Sequence, residues 1–297
     1  MTILITGIEG QLGKSLIDTS EENKGILGLN KNEFNLEDYN HCKDVILNKK
    51  PKWIINTAAF TDVNRAEIEQ EKAFKVNSLG IANIAKVAST YGGKIVHISS
   101  DYVFDGNNSN SYKPTDKCNP LNIYGSSKFK GEQLIKEHPN IIILRTSWLY
   151  GPYGKNFCLT ILKMYKLFAK EKKPIKVIND QIGCPTSSID LAEICWKFVS
   201  HFNKKNFSNE IFHWCNSGVT NWYDFAKTIV DLGFEYGLLT NRVDVLPINS
   251  QQYKSKAKRP KFSLLDCEKT RKLLKIDQRY WKNSLRDVIK SAKIEDL

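Results

Sequence analysis

The sequence predicts an α/β chain: a doubly wound parallel sheet covered by helices on both faces, followed by a smaller α/β lobe. Three observations predict it. Short runs rich in β-branched residues alternate with longer amphipathic stretches from Thr2 to Thr146. A glycine-spaced turn, Gly7-Ile8-Glu9-Gly10-Gln11-Leu12-Gly13, stands between the first such run and the first helical stretch. Beyond Gly151 the alternation loosens, and Trp214, Trp222, Tyr223 and Trp281 fall in short elements suited to a second lobe.

Taken in order, Thr2 to Thr6 is a buried-type strand, and the apolar pattern through Leu16 and Ile17 is the first helix. Strand, glycine turn and helix form the setting in which a Rossmann-type sheet holds a dinucleotide. Gly7, Gly10 and Gly13, with Gln11 and Leu12 between them, permit a tight turn. They also let backbone N–H groups meet a pyrophosphate at the helix N-terminus. A glycine turn with no ligand is the plainer alternative. The second strand, Gly25 to Leu29, ends at Asn30-Lys31, where an acidic residue commonly grips the adenosine ribose. Asn30 can still bond a ribose hydroxyl and Lys31 can neutralise a 2′-phosphate, so NADPH is expected to be accepted alongside NADH. Asn35 and Leu36 are counted with the cofactor contacts and open a helix to about Lys49.

Trp53 to Thr57 is the third strand, and the small residues Ala58 and Ala59 at its carboxyl end leave room for a flat cofactor. A helix from about Ala66 to Thr90 carries Asn77. The fourth strand, Lys94 to Ile98, delivers Ser99-Ser100-Asp101-Tyr102, hydroxyls and a carboxylate at a strand tip. Facing it is a helix over Leu121 to Glu132, in which Tyr124 and Lys128 are four apart and so share a face. A free tyrosine ionises near pH ~10, and a neighbouring ammonium is expected to lower that value. Such a phenol can protonate a carbonyl oxygen while hydride arrives at carbon. The bland alternatives are a surface helix with Tyr and Lys spaced by chance, and a Ser-Ser-Asp that merely ends a strand. Ile141 to Thr146 is the fifth strand, running into Ser147-Trp148. A helix from about Asn156 to Ala169 leads to a sixth, Ile175 to Ile178, and a helix from Ile189 to about Phe202 returns to the sheet. The expected division is a dinucleotide-binding domain at 1–150 with 174–205 returning to it, a junction at 151–173, and a substrate lobe at 206–297.

Composition narrows the function classes. A formal charge of +12 suits an anionic partner, either nucleic acid or a phosphorylated small molecule. The excess sits in short runs such as Lys49-Lys50, Lys172-Lys173 and Lys204-Lys205, without interleaved aromatics, which argues against nucleic acid. Apolar runs are too short to cross a bilayer and no secretory pattern precedes Thr2, so a cytoplasmic, membrane-free protein is expected. The seven cysteines never form Cys-x-x-Cys and the five histidines never form His-x-x-x-His, so neither disulfides nor a metal are predicted.

Taken together, these motifs resemble the extended short-chain dehydrogenase/reductases and, within them, the dTDP-4-dehydrorhamnose reductase family. The resemblance rests on Gly7 to Gly13, Asn56 to Glu67, Ser99 to Gly106, Tyr124 to Glu132, Arg145 to Gly151, Asp180 to Thr186, and Arg259-Pro260. It extends to His213-Trp214 and Gly218 to Phe225, and so covers nearly the whole chain. It implies that Ser100 bonds the substrate carbonyl, Tyr124 donates the proton, and Lys128 tunes the phenol and holds the nicotinamide ribose. It further implies that Val63, Asp101, Tyr102 and Trp148 line the sugar pocket, and that Arg259 anchors the diphosphate of a nucleotide sugar. The implied activity is NAD(P)H-dependent reduction of the C4 keto group of a nucleotide-linked 4-keto-6-deoxyhexose, in dTDP-rhamnose biosynthesis, with a homodimer possible. Departures are Asn30 for the frequent acid, Ser100 for a more usual Thr, and Phe262 where many members are polar. Some members bind Mg2+ through a glutamate early in the first helix, where this chain has Ser15. Sister epimerases and dehydratases share the fold, as does the non-catalytic regulatory subunit of methionine adenosyltransferase.

Overall fold

The computed structural model describes residues 1–21 and 25–291; the last positions given to the second lobe, 292–297, lie outside the described residues. A six-stranded sheet organises the molecule. Its order from one edge is Glu210–His213, Ile141–Thr146, Lys94–Ser100, Trp53–Asn56, Ile3–Thr6, Ile26–Leu29, and every neighbouring pair runs parallel. The order in which the chain adds strands reverses between Ile3–Thr6 and Trp53–Asn56. In an open α/β sheet, ligands bind in the crevice beyond the strand ends at such a reversal.

Successive strand residues point to opposite faces, and here both faces are dry. Ile3, Ile5, Trp53, Ile55, Val96, Ile142, Leu144 and Phe212 build one core. Leu4, Ile54, Ile95, Ile141, Ile143 and Ile211 build the other. The helices Gln11–Asp18 and Ser188–Phe202 pack together on one side, and Tyr39–Lys49 and Gly80–Ser89 on the other. Truncating a fully buried strand residue such as Ile54 to Ala would cost about 2–5 kcal/mol.

The sixth strand is not the expected one. Ile175–Ile178 pairs instead with Val245–Ile248 in a separate two-stranded sheet, and Glu210–His213 takes the edge beside Ile141–Thr146. Burial supplies the reason: Ile175 and Val177 are buried while Lys176 is exposed, so that strand has one dry face, whereas Ile211 and Phe212 feed the two cores. The helix Ser188–Phe202 does return to the sheet, where buried Lys94 donates to the Phe202 and Lys205 carbonyls at its end (both 2.7 Å).

Two helices also differ from expectation. The one placed from Asn35-Leu36 begins at Tyr39, because Asp38 accepts the N–H groups of Asn40 and His41 and so caps it there. The stretch from Ala66 to Thr90 is broken into Val63–Ala66, Gln70–Phe74, a wide π turn over Lys75–Leu79, and Gly80–Ser89. That turn bulges at buried Asn77, whose amide donates to the Phe60 carbonyl (3.0 Å) and accepts the Phe60 N–H (2.8 Å). The smaller lobe is assembled from short pairings, among them Leu149–Tyr150 with Thr186–Ser187 and Ile182–Gly183 with Thr220–Asn221, packed with Phe157–Glu171, Trp222–Glu235 and Trp281–Ser291.

Candidate active site

The glycine turn lies at the point where strand order reverses. Gly7 has φ +68°, and a side chain there would meet the Ala58 backbone at 2.9 Å. A side chain on Gly13 would meet the Gly7 carbonyl at 2.4 Å, so the helix is drawn tightly onto the turn. Gly10 is the N-cap of Gln11–Asp18 and offers no side-chain cap, which leaves that end's N–H groups for an anion. Gln11 Oε1 is buried there with no hydrogen-bond partner. A bare helix N-terminus, an orphaned acceptor and a cradle that a Cβ would fill are what a dinucleotide requires, so the residues fit the group.

Around the adenosine end the sequence-derived residues separate. Asn30 Oδ1 is taken by the N–H groups of Asn32 (2.9 Å) and Glu33 (3.2 Å), leaving its amide nitrogen to donate. Lys31 is exposed beside it. Leu36 is buried in the core and its carbonyl accepts from Asn83 (2.9 Å), while Asn35 is exposed. Leu12 is likewise a buried core residue, and Ala58 and Ala59 are half-exposed at the crevice.

Tyr124 and Lys128 lie on the helix Ile123–Ile135. Asn122 caps it by accepting the Gly125 N–H (2.8 Å) and donates its amide to the Lys258 carbonyl (2.8 Å), while Glu67 accepts the Ile123 N–H (2.8 Å). At Gly125 a side chain would strike the Tyr102 carbonyl at 2.1 Å, so this glycine lets the helix close onto the segment after the fourth strand. The rings of Tyr102 and Tyr124 consequently meet edge to face at 5.5 Å. Lys128, 2% exposed, donates to the Ile98 carbonyl (2.7 Å), two residues before Ser100 on the same strand. Ser100 donates to Asp101 Oδ1 (3.0 Å) and accepts the Tyr102 N–H (3.2 Å).

Electrostatics in this corner differ from the sequence expectation. Burial pushes the Tyr124 phenol up to about 12; the Ser100 hydroxyl holds it down and Asp101 adds to the rise. Burial prevails over the lowering expected from Lys128, and it also brings that lysine's own ammonium down to about 8, partly offset by Glu132. The phenol is therefore protonated at neutral pH, the form a proton donor needs. Burial likewise raises the Asp101 carboxyl to about 7, against hydrogen bonding from Ser263 and Ser100, and leaves Asp101 Oδ2 without a closed hydrogen bond.

The remaining residues that the resemblance assigns to a sugar pocket come from several elements. Val63 opens the short helix after Ala59, half-exposed. Trp148 has φ +46°, rare for an aromatic residue, and is fixed by stacking on Trp222 at 3.6 Å and 9°. Arg259 reaches Ser255, the Ala257 carbonyl (3.4 Å) and Asn64 Oδ1 (3.4 Å), and it bonds the raised phenol of Tyr102. Its partners are neutral, so its charge is free to meet an anion. Sequence reasoning passed over Asn64 and Ser263 and gave the second-lobe aromatics, Trp222 among them, only a general place facing the sugar or the base; Asn64 beside Val63 was the one signal available, whereas Ser263 reaches the site only through the tertiary fold. Ser15, at the metal-binding place of some relatives, is fully buried and bonds Ser188 (2.8 Å). Among the described residues no His, Cys, Asp or Glu cluster could hold a metal, and the cysteines are free thiols.

Comparison with known proteins agrees with this arrangement. The family model described as the RmlD substrate binding domain matches residues 1–294. A dTDP-4-dehydrorhamnose reductase from Aggregatibacter actinomycetemcomitans is 37% identical, over 96% of this chain and 97% of that protein. The crystal structure of a dTDP-4-dehydrorhamnose reductase from Clostridium acetobutylicum superposes with a TM-score of 0.88 at 34% identity, covering 97% of this chain and 98% of that one. A second, from Bacillus anthracis in complex with NADP, gives 0.87 at 35% identity, covering 97% and 99%. A cradle for a dinucleotide, a protonated phenol at the crevice and full-length agreement in sequence and fold make this chain an NAD(P)H-dependent oxidoreductase that belongs to the dTDP-4-dehydrorhamnose reductase family.

Proposed function

We propose that this chain reduces the C4 keto group of dTDP-4-dehydro-L-rhamnose to give dTDP-L-rhamnose. The observation that carries the reading is the placement of Ser100, Tyr124 and Lys128 on one strand end and one helix, beside a glycine cradle at the sheet's reversal. Bound NADPH or NADH supplies the hydride. Ser100 turns its O–H from Asp101 to the substrate oxygen as negative charge develops there. Tyr124, protonated because burial raises its pKa, delivers the proton to that oxygen. Lys128, anchored on the Ile98 carbonyl, would hold the ribose hydroxyls of a bound nicotinamide cofactor with its ammonium. Val63, Asp101, Tyr102 and Trp148 enclose the hexose, and Arg259, paired only with neutral groups, forks onto the diphosphate.

In the cofactor cradle, Gly7, Gly10, Gln11, Leu12 and Gly13 hold the pyrophosphate by their backbone. Asn30 and Lys31 meet the adenosine ribose, with Asn35, Ala58 and Ala59 as walls and Leu36 packed in the core behind them. Exposed Lys31 favours NADPH, and a Michaelis constant for NADH clearly below that for NADPH would overturn this preference. The division of labour follows, with 1–150 and the returning segment binding the dinucleotide and most of 206–297 binding the sugar nucleotide. The reading places the reaction in the cytoplasm with neither nucleic acid nor membrane as partner; among the described residues no helix is long and apolar enough to cross a membrane. A homodimer belongs to it as well, and sedimentation would test that.

A dehydratase would need a second carboxyl beside Asp101, and Tyr102 occupies that place. Following nicotinamide absorbance with dTDP-4-keto-L-rhamnose and with its UDP, GDP and CDP counterparts tests the assignment. Turnover confined to the dTDP sugar supports it, and cofactor that survives purification and recycles without net oxidation would point to an epimerase.

A further inference from the structure

One turn beyond Lys128 the same helix carries a second buried charge, Glu132, which the reaction above does not use. It is 3% exposed. Its Oε1 accepts from Ser99 Oγ (2.5 Å) and Arg145 Nε (2.9 Å), and its Oε2 pairs with Arg145 Nη2 (2.6 Å). Ser99 lies on the fourth strand and Arg145 on the fifth, paired to each other in register. A single carboxylate thus ties the tyrosine helix to both strands that end in the active site. The Arg145 guanidinium also meets the Pro114 carbonyl (3.3 Å), Cys118 Sγ (3.2 Å) and His213 Nε2 (3.4 Å).

We propose that Glu132 is a positioning residue for the reductase reaction: clamped by Arg145 and Ser99, it fixes the helical turn that presents Lys128 and sets a carboxylate one turn from that side chain. The inference rests on the role given to Lys128 above. Charged groups facing Lys128 from the surrounding elements leave this task to Glu132. The fourth strand contributes neutral His97, held by Asn56 (3.0 Å), and Lys94 at its far end. The fifth contributes Arg145, already committed. Asp101 stands beside Tyr124, and Glu67 caps the opposite end of the helix. Burial drives Lys128 towards its neutral form and Glu132 is the group that opposes it.

The test compares Glu132→Gln, the double variant Glu132→Gln with Arg145→Met, and Lys128→Met, with circular dichroism to confirm folding. The double variant removes both charges, so no unpaired ion is buried. In the wild type, kcat/KM should fall on the alkaline side as Lys128 loses its proton. In both Glu132 variants that fall should begin ~1 pH unit lower, while KM for the nucleotide sugar at pH 6.5 stays within about twofold. A fall left at its wild-type pH in a folded Glu132 variant would overturn the proposal. So would loss of folding in both variants, because the pair would then serve the fold alone. If Lys128→Met keeps wild-type kcat/KM, the role of Lys128 fails instead, and the two failures are told apart.

Discussion

Two buried polar clusters sit one helical turn apart and are built on opposite terms. Around Glu132 and Arg145 every charge is answered: two carboxylate oxygens and a guanidinium share Ser99, Cys118, Pro114 and His213. Around Tyr124 the groups are held away from their preferred states, with the phenol pushed up to about 12, the Asp101 carboxyl up to about 7 and the Lys128 ammonium down to about 8. The lesson is that satisfied polar groups fix position, and unsatisfied ones are kept for a substrate to answer.

Substitutions sharpen that contrast. The largest effect is expected for Tyr124→Phe, which removes the donor without disturbing packing: kcat should fall by about 10²–10⁴ with an unchanged melting temperature. Retained turnover would break the assignment. Arg145→Ala strands the Glu132 carboxylate and should cost about 3–5 kcal/mol in urea unfolding.

Lys128→Met should do the reverse, losing activity while gaining stability. The folded pKa of Lys128 lies below its unfolded value, so wild-type stability rises as pH climbs from about 8 towards 10.5, and below that range the buried ammonium is a standing cost. Thermal melts should therefore favour the variant most at neutral pH, with the gain shrinking above pH 9. Smaller again is Asp101→Asn. The Asp101 pKa is raised on folding, so the stability it lends at pH 4 drains away as pH rises through about 7. The variant should melt above the wild type at pH 8 and lose that advantage near pH 4; equal melting at pH 8 would show that the carboxylate is well solvated.

The sheet, the glycine turn and the Tyr124–Lys128 spacing could be read from the letters, because a buried parallel strand is locally written. Ile54-Ile55 and Ile141 to Leu144 must be covered on both faces wherever they lie. Gly7 to Gly13 and Tyr124 with Lys128 were legible for the same reason, since spacing within one turn fixes who meets whom. Contacts made across the chain were not. Lys176 was the clue that Ile175–Ile178 has one wet face, yet nothing nearby names Val245–Ile248 as its partner. The phenol was expected to be lowered by its lysine; burial, a property of the whole fold, outweighed a neighbour four residues away. Asn77 was read as part of one long helix, although its amide draws Phe60 in and opens the turn.

The sheet's edge strand, Glu210–His213, arrives some sixty residues after the strand it covers. Until the ribosome has released it, Ile141–Thr146 presents a row of unpaired N–H and C=O groups beside apolar side chains. A fragment ending near Gly151 would carry the whole cofactor fingerprint and still be prone to stick to its own copies, so the smallest useful piece of this enzyme runs past His213.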